Sequence, residues 1–94
     1  MFFVYILFSK KLNRFYVGSS DNYLKRLEEH NDIKYEEAFT ARGIPWELFF
    51  VINCNSSSQA YQIEKHINNM KSANYIRNFL KYPEIADKLL EKYN

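Results

Sequence analysis

Apolar positions in this chain fall into two short dense runs near the start and into spaced stripes further on. Residues 2–8 read Phe-Phe-Val-Tyr-Ile-Leu-Phe, the polar stretch Ser9-Lys10-Lys11-Leu12-Asn13 interrupts them, and a second run follows from Arg14 to Ser19. Aromatic and β-branched runs broken by a polar turn predict a β-hairpin. Side chains alternate along a strand, so Tyr5 lies with Phe3 and Leu7, and Tyr16 faces away from Phe15 and Val17. If Leu7 pairs with Tyr16, then Tyr5 meets Gly18 and both tyrosines share one face; a slip of one residue separates them. In that register Gly18, having no side chain, is expected to leave open space beside Tyr5.

Beyond the hairpin the period lengthens. Ser20 or Asp21 is placed to cap a helix from about Asn22 to His30, with Leu24 and Leu27 inward and Lys25, Glu28 and Glu29 outward. Residues 31–46 keep no sustained period and contain Gly43 and Pro45, so an ordered loop is expected there. Glu47 to Cys54 reads as a third strand. Ser56 and Gln59 form the spacing of a capping box, ahead of an apolar stripe at Ala60, Ile63, Ile67 and Met70, which predicts a helix to about Lys71. Tyr75, Ile76, Phe79 and Leu80, then Pro83, then Ile85, Leu89 and Leu90 predict two more short helices broken near the proline. The order β-β-α-β-α-α, with one further α, describes an α/β (α+β) fold: a three-stranded, mostly antiparallel sheet flanked by helices. Residues 1–94 are expected to form a single domain, since no repeat or linker interrupts them.

Composition narrows the class. At 47% hydrophobic, 18% aromatic and 26% charged residues, the chain is ordered rather than disordered. A formal net charge of +2 is compatible with nucleic acid without pointing to it. The one cysteine, Cys54, rules out an internal disulfide and a cysteine metal cage, and suits core filling in a reducing cytoplasm. The apolar start ends at Ser9, too short for a membrane helix, and lacks the basic start of a signal peptide.

Five side chains suggest chemistry. Tyr5 and Tyr16 share a strand face, Arg26 and His30 are four apart on one helix, and Glu64 adjoins Ile63 at the edge of the buried stripe. Taken singly, each has a plainer reading. A strand tyrosine packs, Arg26 is solvated or pairs with Glu29 or His30, His30 suits a helix C-terminus, and Glu64 beside Lys65 is surface charge. Trp46 is expected to be a core anchor, while Thr40 and Arg42 are candidates to approach a substrate. Lys10, Lys11, Arg14, Lys25, Lys71, Arg77 and Lys81 either converge as a phosphate-binding rim or are scattered in solvent.

Taken in order, these residues resemble a family. Val4-Tyr5-Ile6 and, eleven residues after the first tyrosine, Tyr16-Val17-Gly18 are similar to the two halves of the GIY-YIG nuclease signature, with Val4 in place of the first glycine. The likeness continues through Arg26, His30, Phe39-Thr40, Gly43-Ile44-Pro45-Trp46 and Glu64. It covers roughly residues 2–80 and is nearest to the small single-domain bacterial members. The resemblance implies a metal-dependent endonuclease or nickase that hydrolyses phosphodiester bonds, with DNA the expected partner and no membrane. Glu64 is then expected to hold one Mg²⁺ or Mn²⁺ against the scissile phosphate. Tyr5 would help deprotonate the attacking water, and Tyr16 would orient it or contact phosphate. Arg26 would neutralise the developing charge, and His30 would hydrogen-bond a tyrosine and accept its proton. A phenol of pKa about 10 needs cations nearby to act as a base at neutral pH, which gives such a cluster a physical reason. Asn74 and Asn78 both stand where some relatives carry a supporting asparagine. Repair, recombination and defence are all roles open to such a domain. Two other readings remain: a nucleic-acid-binding module on the same fold without turnover, and a protein-interaction domain using exposed aromatics.

Overall fold

The computed structural model of the chain describes residues 1–32 and 38–94. Strands β1 (Phe2–Ser9) and β2 (Arg14–Ser20) pair antiparallel with Leu7 opposite Tyr16 and Tyr5 opposite Gly18, the register that alternation predicts. Strand β3 (Trp46–Cys54) pairs antiparallel with the other side of β1, giving the order β2-β1-β3. The result is the predicted α+β class, with β2 and β3 as the two edges. Between Ile6 and Leu7 the β3 register shifts, Ile6 pairing with Phe50 and Leu7 with Leu48. The bulge inserts Phe49, so that Phe49 and Phe50 pack on the same apolar cluster.

Each face of the sheet carries its own layer. On one, Val4, Ile6, Val17, Ile52 and Cys54 meet the helices α3 (Ser57–Met70), α4 (Ala73–Lys81) and α5 (Glu84–Lys92), with Ile63, Ile67 and Phe79 at the centre. Burying each such side chain contributes roughly 1.5–3 kcal/mol, so this layer carries most of the fold's stability. On the other, Tyr5, Leu7 and Trp46 pack with Tyr16 and with Tyr23 and Leu27 of α1 (Tyr23–His30). Cys54 fills the first layer as expected, and burial pushes its thiol pKa up.

Helix ends follow their caps. Ser56 Oγ accepts from Gln59 N–H, while Gln59 Oε1 accepts from Asn55 N–H and Gln59 Nε2 donates to the Leu90 carbonyl, tying α3 to α5. The break at Pro83 falls between α4 and α5 as predicted.

Four expectations need correction. The N-cap of α1 is Asn22, whose Oδ1 accepts from Lys25 N–H; Ser20 instead accepts from Asn22 N–H. Leu24 is 60% exposed, because Tyr23, Leu27 and His30, spaced four and three apart, set the inward stripe of α1. Met70 is 46% exposed, because α3 ends in a left-handed Lys71 and its buried stripe stops at Ile67. The expected loop at 31–46 contains a short helix, α2 (Ala38–Arg42), and β3 starts one residue early at Trp46; residues 33–37 of that stretch lie outside those described. Among the described residues, no helix is long and apolar enough to cross a membrane.

Candidate active site

The α1 face of the sheet brings four of the five predicted residues together. Tyr5 is 1% exposed, and its phenol shares a 3.4 Å hydrogen bond with His30 Nε2, whose direction follows the histidine tautomer. The His30 ring, itself buried, lies 4.4 Å from the Tyr16 ring and 6.2 Å from that of Tyr5. Arg26 reaches the same cluster from the preceding turn of α1. A hydrogen bond with Tyr5, above all, holds its guanidinium pKa above the usual value; the charges of Tyr5, Glu29 and Tyr16 act in the same direction against burial. Arg26 also donates to Glu29 Oε1 at 2.9 Å, an ion pair in which the arginine side chain stays 43% exposed.

Gly18 has a different part from the one expected. A Cβ built there would lie 2.5 Å from the Tyr5 hydroxyl oxygen and 2.6 Å from its ring carbon Cζ. The space over Gly18 is therefore not open: the Tyr5 phenol occupies it. This is why the strand carries glycine opposite this tyrosine, and it is what lets the phenol lie flat enough to meet α1.

Glu64 arrives from the other side of the sheet. Ser19 Oγ donates to Glu64 Oε1 at 2.7 Å. Ser19 points to the α3 face, since its neighbour Gly18 shares the α1 face with Tyr16. Because β2 is an edge strand, Gly18 and Ser19 are where the two faces meet. Four residues thus form one cluster, and the fifth stands across the edge strand from them. Among the described residues no three His, Cys, Asp or Glu side chains gather as a metal cage. A single carboxylate of this kind fits a hard divalent cation that keeps its waters and takes phosphate oxygens, and the Ser19 hydrogen bond engages only Oε1 of Glu64.

Sequence reasoning missed the residue that fixes the end of α1. Asn31 Nδ2 donates to the Trp46 carbonyl at 2.9 Å, and Asn31 Oδ1 accepts from Trp46 N–H at 2.6 Å. This amide clamp joins the C-terminus of α1 to the start of β3, and so fixes the backbone next to His30. Trp46 is the predicted anchor: 3% exposed, with Nε1 donating to the Thr40 carbonyl at 2.7 Å. Gly43 permits this, as a Cβ there would lie 2.4 Å from the Trp46 ring, and Ser9 Oγ donates to the Gly43 carbonyl at 2.7 Å. Thr40 is buried at 3%, so its place is in this scaffold rather than at the surface expected of it; Arg42 is exposed. Asn74 and Asn78 lie on α4, which packs on the opposite face from the tyrosine cluster.

Comparison with curated proteins and with solved structures gives no match. The GIY-YIG catalytic domain family model matches residues 1–77, most of the chain and the whole of the stretch that carries Tyr5, Tyr16, Arg26, His30 and Glu64. Members of that family are nucleases, typically dependent on a divalent metal, which makes nucleic acid the implied substrate. With the two signature halves paired in one hairpin, the chain belongs to the GIY-YIG catalytic domain family and has its nuclease-type fold.

Proposed function

We propose that this protein is a metal-dependent endonuclease or nickase that hydrolyses DNA phosphodiester bonds at the β2 edge. The observation that carries the reading is the convergence of Tyr5, Tyr16, Arg26 and His30 on one side of Gly18-Ser19, with Glu64 held on the other. A phosphate lying over this edge would meet a cation, phenols, an imidazole and a carboxylate within one short stretch of strand.

The roles follow from position. Tyr16 is the more exposed phenol and so suits contact with the attacking water or the phosphate. His30, with its ring against Tyr16, would accept the proton passed on through that phenol as the attacking water's oxygen bonds to phosphorus and the P–O bond to the leaving strand breaks. Tyr5 is walled in, and acts by holding Arg26 and His30 in register through its hydroxyl rather than by touching water. Arg26 stabilises negative charge as it grows on the phosphoryl oxygens. A bound Mg²⁺ or Mn²⁺ supplies Lewis-acid stabilisation of that phosphate, with Glu64 as its protein ligand and Ser19 fixing the carboxylate. Residues 1–94 are proposed to act as one domain, in the reducing cytoplasm that the lone buried thiol suits, in DNA processing such as repair.

One feature favours a second reading. The Arg26–Glu29 pair offsets part of the cation that catalysis needs, and a binding module with little turnover would tolerate it. Cleavage of supercoiled plasmid, branched DNA and single-stranded DNA with Mg²⁺ or Mn²⁺, set beside an EDTA control and Glu64→Ala, separates the two. Cutting that is lost in both controls supports the enzyme. A well-folded protein that binds DNA in a salt-sensitive way and never cuts it supports the module.

A further inference from the structure

On the α3 face, at the far end of β2 from Ser19, a cavity of about 430 Å³ opens between the hairpin turn and the junction of α3 with α4. Phe15, half-buried, lines its floor over the buried Val17, Ile67 and Ile76, and Arg14 and Lys71 stand at its rim. Both cations are exposed, and a third, Arg77, lies 5.3 Å over the Phe15 ring. Of the cations that the sequence left undecided, Arg14 and Lys71 thus line this cavity and Arg77 covers the Phe15 ring beside it. By contrast, Lys10 is drawn off by Glu47 at 3.5 Å.

Two lines of residues lead from Glu64 to this cavity. On α3, Glu64 and Asn68 are four apart and share a face, Lys71 follows as the residue that ends the helix, and Asn68 and Lys71 both line the cavity. On β2, Ser19, which holds Glu64, runs down to Arg14. The seven-residue helical step spans about 10 Å and the five-residue strand step about 17 Å. At about 3.4 Å per nucleotide along one strand of a duplex, that is about three to five nucleotides.

Lys71 adds a separate observation. It holds the left-handed position that ends α3, with φ of 49°, where glycine is the usual occupant. A lysine here gives up backbone comfort while setting its ammonium at the cavity rim.

We infer that this cavity is a subsite for a flanking nucleotide of the bound strand, taking its base or sugar against the half-buried Phe15 and its phosphate between Arg14 and Lys71. The inference rests on the nuclease reading for the direction of the strand, but its charge and shape can be tested by binding alone. An apolar floor with a cationic rim matches a nucleotide, which is apolar on its base faces and anionic at its phosphate.

The test uses fluorescence anisotropy of a labelled single-stranded DNA over a range of salt, with wild type, Arg14→Ala, Lys71→Gly and, as a control on α5, Lys88→Ala. Lys71→Gly is chosen because relieving the left-handed lysine should leave thermal stability equal or higher while binding falls. Expected is a loss of affinity of roughly threefold to tenfold for each of the two rim variants, and a salt slope shallower by about 0.7 for each phosphate contact removed, with Lys88→Ala unchanged. Cleavage of the same DNA is read in parallel, where the rim variants should raise KM and leave kcat within about twofold. Binding lost at the rim from a protein that cuts nothing keeps the subsite and overturns the nuclease reading. Cutting with KM and salt slope unchanged in both rim variants keeps the nuclease and overturns the subsite. A wild type that binds no DNA at low salt overturns both.

Discussion

Replacing Gly18 by alanine tests the packing that builds the cluster. The backbone there is not in a left-handed conformation, so alanine is free of torsional strain, and reduced unfolded-state entropy alone would favour it by about 0.4–1 kcal/mol. Against this, the new methyl would sit 2.5 Å from the Tyr5 hydroxyl, 2.6 Å from Cζ and 3.0 Å from Cε1. These are contacts along a rigid ring that is 1% exposed, so the ring has no solvent to swing into. Overpacking of this kind costs about 1–3 kcal/mol, which leaves a net loss of up to about 2.6 kcal/mol. Urea unfolding measures it, provided the slope m is unchanged. The decisive comparison is the same substitution in a Tyr5→Leu background, where the outer ring atoms are gone. There Gly18→Ala should be neutral or stabilising. An equal penalty in both backgrounds would refute the claim that Tyr5 is the reason for glycine. Displacing the phenol should also break its contacts with His30 and Arg26, so any cleavage activity should fall by more than the stability loss explains.

Asn31→Ala removes both hydrogen bonds to the Trp46 backbone and leaves its N–H and carbonyl unpaired, and a loss of about 2 kcal/mol is expected by urea unfolding; less than 0.5 kcal/mol would contradict the clamp. Glu29→Gln breaks a partly exposed pair, so stability should move by less than about 1 kcal/mol, whereas DNA affinity should rise at low salt as Arg26 is released; an unchanged affinity would show that Arg26 does not meet phosphate. Burial, foremost, and the charge of Lys92 lower the pKa of His66, whose Nδ1 lies 2.8 Å from the Tyr93 hydroxyl. A folded-state pKa below the unfolded value of 6.5 means the unfolded chain binds more protons at low pH. Stability from this group is thus fully present above about pH 6.5 and is lost as pH falls below it. The midpoint of thermal unfolding should drop less between pH 7 and pH 5.5 in His66→Gln than in wild type.

What the sequence made legible was periodic. The hairpin register followed from alternation because Phe3, Tyr5 and Leu7 on one side and Val4 and Ile6 on the other have burial partners on separate layers. The stripe at Ala60, Ile63 and Ile67 was equally plain. Errors came where a single contact, rather than a period, decides. Leu24 looked inward because leucine usually is, yet Tyr23 and His30 set the phase of α1 through the tyrosine cluster. The helix α2 is five residues long, too short to show a period, and its Thr40 carbonyl is fixed by an indole six residues on. Asn31 leaves no signal in a hydropathy pattern, since its two hydrogen bonds go to backbone atoms 15 residues away. Gly18 was correctly placed opposite Tyr5, but spacing alone does not tell an empty notch from one filled by the facing ring. Of the site, the likeness to the family supplied the five residues, and the fold accounts for why four of them meet and why Glu64 reaches the edge strand through Ser19 from the other face.

The rate of nicking of supercoiled plasmid in Mg²⁺ by wild type and by Glu64→Gln, purified alike and matched for thermal unfolding midpoint, decides whether Glu64 serves metal-dependent cleavage. Glutamine keeps the shape and an acceptor for Ser19 while removing the charge a cation needs, so nicking should fall by at least a hundredfold with stability unchanged. Equal rates for the two proteins would remove Glu64 from the chemistry and contradict the account.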